Sequence, residues 1–214
     1  MANDAAGDEE WLARGGGDVA DVTRYYDGWA ERYDDDLADW SYEAPDVATA
    51  ALLEHAHEPA VVLDAGCGTG LVGRALRRAG YSGVISGIDV SAESVQIAAG
   101  TGAYDTVATA DLQRPLELGD DTFDGLVCVG VMTYVPDVEE CWREFVRVVR
   151  PDGVVVVTQR EDLWAERRCR QVIDDLTADG SWEQIEVTDA RPYLPGHDDF
   201  ADRIGVHYVV ARVN

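Results

Sequence analysis

The chain has 214 residues, enough for one α/β domain with a buried core, and its 46% hydrophobic content excludes a disordered polymer. Forty-two acidic residues stand against 17 basic ones, a net charge of -25, which excludes a broad basic surface for nucleic acid or an anionic membrane. A local nucleic-acid patch is still allowed.

Residues 1–17 are acidic and glycine-rich and read as a flexible tail. Val22, Tyr25, Tyr26, Trp29, Tyr33 and Leu37 then recur at helical spacing. An aromatic stripe is more often core packing than a ligand wall, but this one precedes the first strand. Together with a second helix from Pro45 to His57, it forms an expected N-terminal cap, residues 18–57, over a ligand cleft. The core is expected over residues 60–214 as a single domain.

Val61-Val62-Leu63-Asp64 is an apolar strand closed by an acid, followed by a glycine turn and an amphipathic helix ending near Gly80. Val84 to Asp89 is a second strand, and Ser91 caps the helix after it. Tyr104 to Ala110 is a third strand and Phe123 to Val129 a fourth. Asp137 and Glu140 make a capping box for the next helix, and the turn Pro151-Asp152-Gly153 leads into a strand at Val154–Thr158. One helix is expected from Asp162 to Asp179, then strands at Trp182–Thr188 and Val206–Val213 around a loop at 190–205. Alternating strands and helices predict an α/β fold: three layers around a seven-stranded, mostly parallel sheet with an antiparallel last strand.

The turn Gly66-Cys67-Gly68-Thr69-Gly70 lets a ligand approach the backbone closely, and the helix start behind it offers N–H groups to an anionic or zwitterionic group. Read from Gly68, the glycines Gly68, Gly70 and Gly73 also fit a dinucleotide-binding fingerprint. A Walker-type phosphate loop is excluded, because every basic residue is Arg. Asp64, Asp89 and Asp111 each close a strand where an open α/β sheet binds ligands, and Asp89 is placed to accept from a ribose diol. Cys67, Cys128, Cys141 and Cys169 have neither metal-ligand nor redox spacing and read as reduced thiols. With no targeting pattern and no membrane-length apolar run, a soluble cytoplasmic protein is expected, with no membrane contact and an open oligomeric state. The Lys-free acidic composition suggests a salt-accumulating halophile, with G+C-rich codon usage as the alternative.

Asp64-x-Gly66-x-Gly68-x-Gly70 resembles the first motif of the class I S-adenosylmethionine-dependent methyltransferases. Gly87-Ile88-Asp89, Ala110-Asp111-Leu112, Phe123-Asp124 and Pro151-Asp152-Gly153 are similar to the motifs that follow, the last with Asp for the first Gly of a Pro-Gly-Gly turn. Tyr26-Asp27-Gly28-Trp29-Ala30-Glu31-Arg32-Tyr33-Asp34, Gly70-Leu71-Val72-Gly73, Gly102-Ala103-Tyr104, Val129-Gly130-Val131 and Val135-Pro136 resemble the Williams–Beuren-region methyltransferase-like group. The chain departs from that group around Met132-Thr133-Tyr134.

The resemblance implies S-adenosyl-L-methionine as cofactor. Gly66, Cys67, Gly68 and Gly70 would pass under its methionyl part, Asp64 would orient the amino group, and the Val129 carbonyl would take the ammonium. Asp89 would hold the ribose with Val90 beside the adenine, Asp111 and the Leu112 N–H would face the adenine edge, and Tyr33 would cover the sulfonium. Tyr26, Trp29, Tyr134, Arg160 and His197 are the candidates for the substrate side, the acceptor being a small molecule. Arg160 could hold an acidic substrate or simply pair with one of the many acids, and His207, inside a strand, reads as structural. No side chain stands out as a general base among Arg160, Glu161, His197 and His207. Two rivals stand beside this reading. One is a cofactor-binding protein of the same fold without transfer activity. The other is an NAD-dependent oxidoreductase, whose Tyr-x-x-x-Lys pair a chain without Lys cannot supply.

Overall fold

The computed structural model describes residues 18–198, 200, 201 and 203–214, so the expected tail at 1–17 lies outside the described residues. In chain order the elements are α1 (Val19–Asp39), α2 (Ala44–His55), β1 (Val61–Ala65), α3 (Leu71–Arg78), β2 (Val84–Asp89), α4 (Ala92–Gly100), β3 (Thr106–Thr109), β4 (Phe123–Cys128), a 3₁₀ turn (Met132–Tyr134), α5 (Val138–Val148), β5 (Val149–Arg160), α6 (Glu161–Trp164), α7 (Cys169–Ala178), β6 (Trp182–Val187), β7 (Arg191–Pro192) and β8 (Gly205–Val213). The sheet runs β3-β2-β1-β4-β5-β8-β6, with the short β7 pairing alongside β8. Strands β1 to β5 pair in parallel, and β8 runs antiparallel to both of its long neighbours, β5 and β6.

The central strands are apolar on both faces because helices cover both. Leu63, Leu126, Val155 and Val157 pack on one side against Trp142 and Phe145 of α5 and Ile173 and Leu176 of α7. Val62, Val127, Val154 and Val156 pack on the other with Leu52 of α2 and Val72 and Leu76 of α3. This alternation is the period of two that an extended strand imposes. Asp124, in the motif that opens β4, is architectural: its carboxylate accepts from the Ala60 and Val61 N–H groups at 2.5 and 2.8 Å and pairs with Arg150 at 2.6 Å. It thereby ties the start of β1 to β4.

Four expectations change. The single helix over 162–179 is two helices, because Arg168 takes a left-handed conformation (φ 54°) and redirects the chain before α7. The Pro151-Asp152-Gly153 turn lies inside β5, where a register shift against β4 and a positive φ at Asp152 (66°) absorb it. The antiparallel last strand sits between β5 and β6, which leaves β6 at the edge, and the two-residue β7 joins the seven expected strands. Finally, only α1 of the two N-terminal helices borders the cleft, whereas α2 belongs to the layer packed on the sheet.

Candidate active site

The strand order reverses between β1 and β4, and the loops leaving their carboxyl ends flank a cleft of about 760 Å³, counting its open mouth. Gly66 begins the β1 loop with φ 84°, and a Cβ built there would lie 2.1 Å from Val131 Cγ2 in the β4 loop. Glycine is therefore required for the two loops to meet. Gly68 follows with φ 50° and Gly70, the cap residue of α3, with φ 100°. Gly66 and Gly68 line the cleft. Gly70 and Cys67 do not, and the Cys67 thiol lies against Gly87 with its pKa pushed up by burial.

Asp89 and Asp111 bring the carboxylates of two further strand ends to the same cleft. Asp89 is fixed by the Gly68 N–H at 2.8 Å and the Ser91 N–H at 2.9 Å. Burial raises its pKa, and these backbone donors work against that rise. Each oxygen keeps a second lone pair for a ligand hydroxyl. Asp111 accepts from the Gln113 N–H at 2.9 Å, and Val90, Leu112 and Val129 complete this part of the wall.

Asp64 is fully buried behind the glycine turn. Its Oδ2 accepts from the Tyr104 hydroxyl at 2.6 Å, while Oδ1 has no hydrogen-bond partner. Burial pushes its pKa up to about 7, and Asp89 nearby adds to the rise that Tyr104 opposes. The Tyr104 hydroxyl also accepts from the Gly73 N–H at 3.0 Å. Cβ atoms at Gly70, Gly73 and Gly87 would lie 3.1, 2.3 and 3.0 Å from the Tyr104 ring. Gly73, the third glycine of the dinucleotide fingerprint, thus clears space for a tyrosine.

The roof of the cleft is α1, which contributes Val19, Val22, Tyr26, Ala30 and Tyr33. Side-chain hydrogen bonds fasten it along its length. Ser91 donates to Asp27 at 2.5 Å, Thr69 and Arg74 donate to the two oxygens of Asp34 at 2.5 Å each, and Tyr26 donates to Tyr134 at 2.9 Å.

Three substrate-side candidates lie off the cleft wall. Trp29 is 2% exposed in a small core with Leu37, Leu194 and Phe200, and its indole N–H binds Asp36 at 2.6 Å. His197 packs between Trp40 and Phe200, with ring centroids 4.7 Å from each. Arg160 is buried, held by both oxygens of Asp162 at 3.0 and 2.6 Å. His207 is structural, with Nδ1 2.9 Å from the Thr188 carbonyl and its ring beside Trp164.

The methyltransferase domain family matches residues 63–157, the strands and loops that build the cleft. Human methyltransferase-like protein 27 is 31% identical over 187 residues, 81% of this chain and 73% of that protein. The chain belongs to the class I S-adenosylmethionine-dependent methyltransferases. A ubiquinone biosynthesis O-methyltransferase from Neisseria meningitidis is 32% identical over 99 residues, covering 44% of this chain and 41% of that enzyme. Among solved structures, the methyltransferase in complex with the Trm112 methyltransferase activator from Haloferax volcanii superposes with a TM-score of 0.68. It is 21% identical and covers 90% of this chain and 97% of that one. A methyltransferase from Thermotoga maritima gives a TM-score of 0.64 at 15% identity, over 89% and 98% of the two chains.

As a methyltransferase of this class the chain uses S-adenosylmethionine. The motif residues are recognisable by their position at strand ends. Gln113 and Ser94 also line the cleft, yet belong to no pattern that singles them out, and Val131 and Val135 line it from stretches noted only for their resemblance to a methyltransferase group. Tyr104 is legible only as part of a resemblance, because its role depends on three glycines from two other segments. No helix among the described residues is long and apolar enough to cross a membrane, and no described cluster of His, Cys, Asp and Glu has metal-site geometry.

Proposed function

We propose that the cleft seats S-adenosylmethionine and that this chain transfers its methyl group to a small molecule. The observation that carries the reading is the convergence of the glycine turn after β1, Asp89 at the end of β2 and Asp111 after β3 on one cleft under an aromatic roof. In this reading Gly66 and Gly68 let the backbone pass beneath the methionyl part, and Gly70 and Cys67 shape the turn from behind. Asp64, whose Oδ1 is unpartnered and buried, favours the cofactor's ammonium, with the Val129 carbonyl on the other side. Asp89 takes the ribose diol by charge-assisted hydrogen bonds, Val90 packs on the adenine, and Asp111 and the Leu112 N–H face its edge. Tyr33 presents its ring to the sulfonium, and Tyr26 and Tyr134 stand next to it on the acceptor side.

The cofactor supplies a methyl group on a sulfonium that departs as a neutral thioether, so the protein has chiefly to align the acceptor and exclude water. The four free, buried cysteines suit a reducing compartment such as the cytoplasm.

The test is calorimetric titration of folded protein with S-adenosylmethionine and, separately, NAD, in molar KCl and in low salt. The methyl donor alone should bind, and Asp89→Ala should weaken it about 100-fold, the scale of two lost charge-assisted hydrogen bonds. Absence of donor binding by folded protein in both buffers would sink the reading. Formation of S-adenosylhomocysteine in the presence of a small-molecule cell extract separates a transferase from a protein that only binds the donor.

A further inference from the structure

One hydroxyl ties together the two ends of the glycine turn. Tyr104, in the segment between α4 and β3, donates to Asp64 Oδ2 at 2.6 Å and accepts from the Gly73 N–H at 3.0 Å. Asp64 lies in β1, ahead of the turn, and Gly73 in the first turn of α3, beyond it. Neither Tyr104 nor Asp64 is on the cleft wall, but Gly66, Gly68 and Thr69, between the two tied points, are. The ring is seated closely, because Gly70, Gly73 and Gly87 each make room for it. A tyrosine that only filled this space would need no hydroxyl.

Asp64 is fully buried, and its Oδ1 has no hydrogen-bond partner. The titratable groups that face it among the described residues are Tyr104, Asp89, Cys67 and Cys128. Burial raises the phenol and both thiols, so they stay neutral, and the Asp89 charge opposes a second one at Asp64. Of these four, Tyr104 is the group that favours the ionised carboxylate. Without its hydroxyl, both Asp64 oxygens would be buried with no partner among the described residues. A donor that carries a sulfonium and an ammonium is favoured by negative charge behind the turn on which it rests.

We propose that Tyr104 is a positioning residue for the donor: its hydroxyl fixes the glycine turn by joining Asp64 to the start of α3, and it holds the Asp64 charge behind that turn. The proposal rests on the donor-binding reading above. Donor affinity then depends on pH through Asp64. A folded-state pKa of about 7 lies above the ordinary carboxylate value, so at lower pH donor binding draws a proton off Asp64. The contribution of the charge is complete above pH 7 and is lost as pH falls below it. Removal of the Tyr104 hydroxyl moves that loss to higher pH.

The experiment is run on protein already shown to bind S-adenosylmethionine, so that failure of donor binding refutes the earlier reading and not this one. Donor affinity is measured by calorimetry from about pH 5.5 to about pH 9.5 for the parent, Asp64→Asn, Tyr104→Phe and the double variant, with folding checked by circular dichroism. Dividing the parent affinity by that of Asp64→Asn cancels the titration of the donor's own amino group near pH 8. This ratio should rise from about 1 at the acid end to about 10 above pH 8. In the Tyr104→Phe background the same rise should come about one to two pH units later, the scale of one hydrogen bond to a charged acceptor. A tyrosine with a packing role alone would lower the thermal midpoint and leave the rise where it is. A ratio that is flat with pH in the parent, or a rise that Tyr104→Phe does not move, overturns the proposal. One measurement needs no variant: binding to the parent in buffers of unequal ionisation heat should release about half a proton near pH 6.5, and release of none overturns the proposal as well.

Discussion

The two sides of the cleft are built in different ways. The side bearing Asp89, Asp111 and the glycine turn comes from the ends of adjacent strands, and backbone N–H groups fix its carboxylates. The tyrosine side comes from α1 and the 3₁₀ turn, and side chains reaching between those segments hold it together. Backbone anchoring makes the first side insensitive to the identity of its neighbours. The second depends on each partner, and that is where one member of a fold class can change its acceptor without disturbing the donor.

The sharpest way to break the comparison is Asp64→Asn. A folded-state pKa near 7 lies above the ordinary carboxylate value, so the ionised form is penalised in the folded protein. Below about pH 4 both states hold the proton and the penalty vanishes; it grows as pH rises towards 7 and is constant above that. The variant should therefore stabilise the donor-free protein by about 4 kcal/mol at most near pH 8, and hardly at all near pH 4, while donor affinity falls. Denaturant unfolding at the two pH values checks this. A gain of equal size at both would refute the ionisation account.

Gly66→Ala comes next. Its Cβ would collide with Val131 at 2.1 Å in a backbone conformation that L-residues avoid, which should cost about 3 kcal/mol by overpacking and strain together. Thermal unfolding measures the loss, and an undiminished midpoint would mean that the two loops do not meet. On the tyrosine side, Tyr26→Phe removes the 2.9 Å bond to Tyr134 and should cost only about 1 kcal/mol in the same assay. The acceptor KM should rise while donor Kd holds. A change in donor Kd alone would assign Tyr26 to the other side. Smallest, and opposite in sign, is Gly28→Ala: a Cβ there meets nothing within 4 Å on an exposed helical turn, so the variant should gain about 0.5–1 kcal/mol of stability, readable in urea unfolding.

The same contrast separates what is legible in the amino-acid sequence from what is not. Strands with apolar runs, the Ser91 and Asp137 caps and the acids at strand ends are local patterns, and they stand where the spacing places them. The N-terminal stripe predicts α1, but periodicity cannot say which aromatic faces a cleft. Tyr26 and Tyr33 line it, while Trp29 on the same helix is core. Arg160 and His197 draw notice by their chemistry and are enclosed by Asp162 and by Trp40 and Phe200, partners that no spacing rule brings to mind. Tyr42 and Tyr193 are not recognisable as neighbours from spacing, because the contact between them closes only when the β7–β8 loop folds back on α1.

Helix α1 has a consequence for how the cleft opens. Its Asp27 and Asp34 are clasped by Ser91, Thr69 and Arg74, on the side of the strand ends and the glycine turn, while Tyr26 is clasped by Tyr134 on the other. One helix thus carries the anchors of both sides of the same cleft. Lifting it would break the hydrogen bonds on both sides together, so neither anchorage can be released without straining the other.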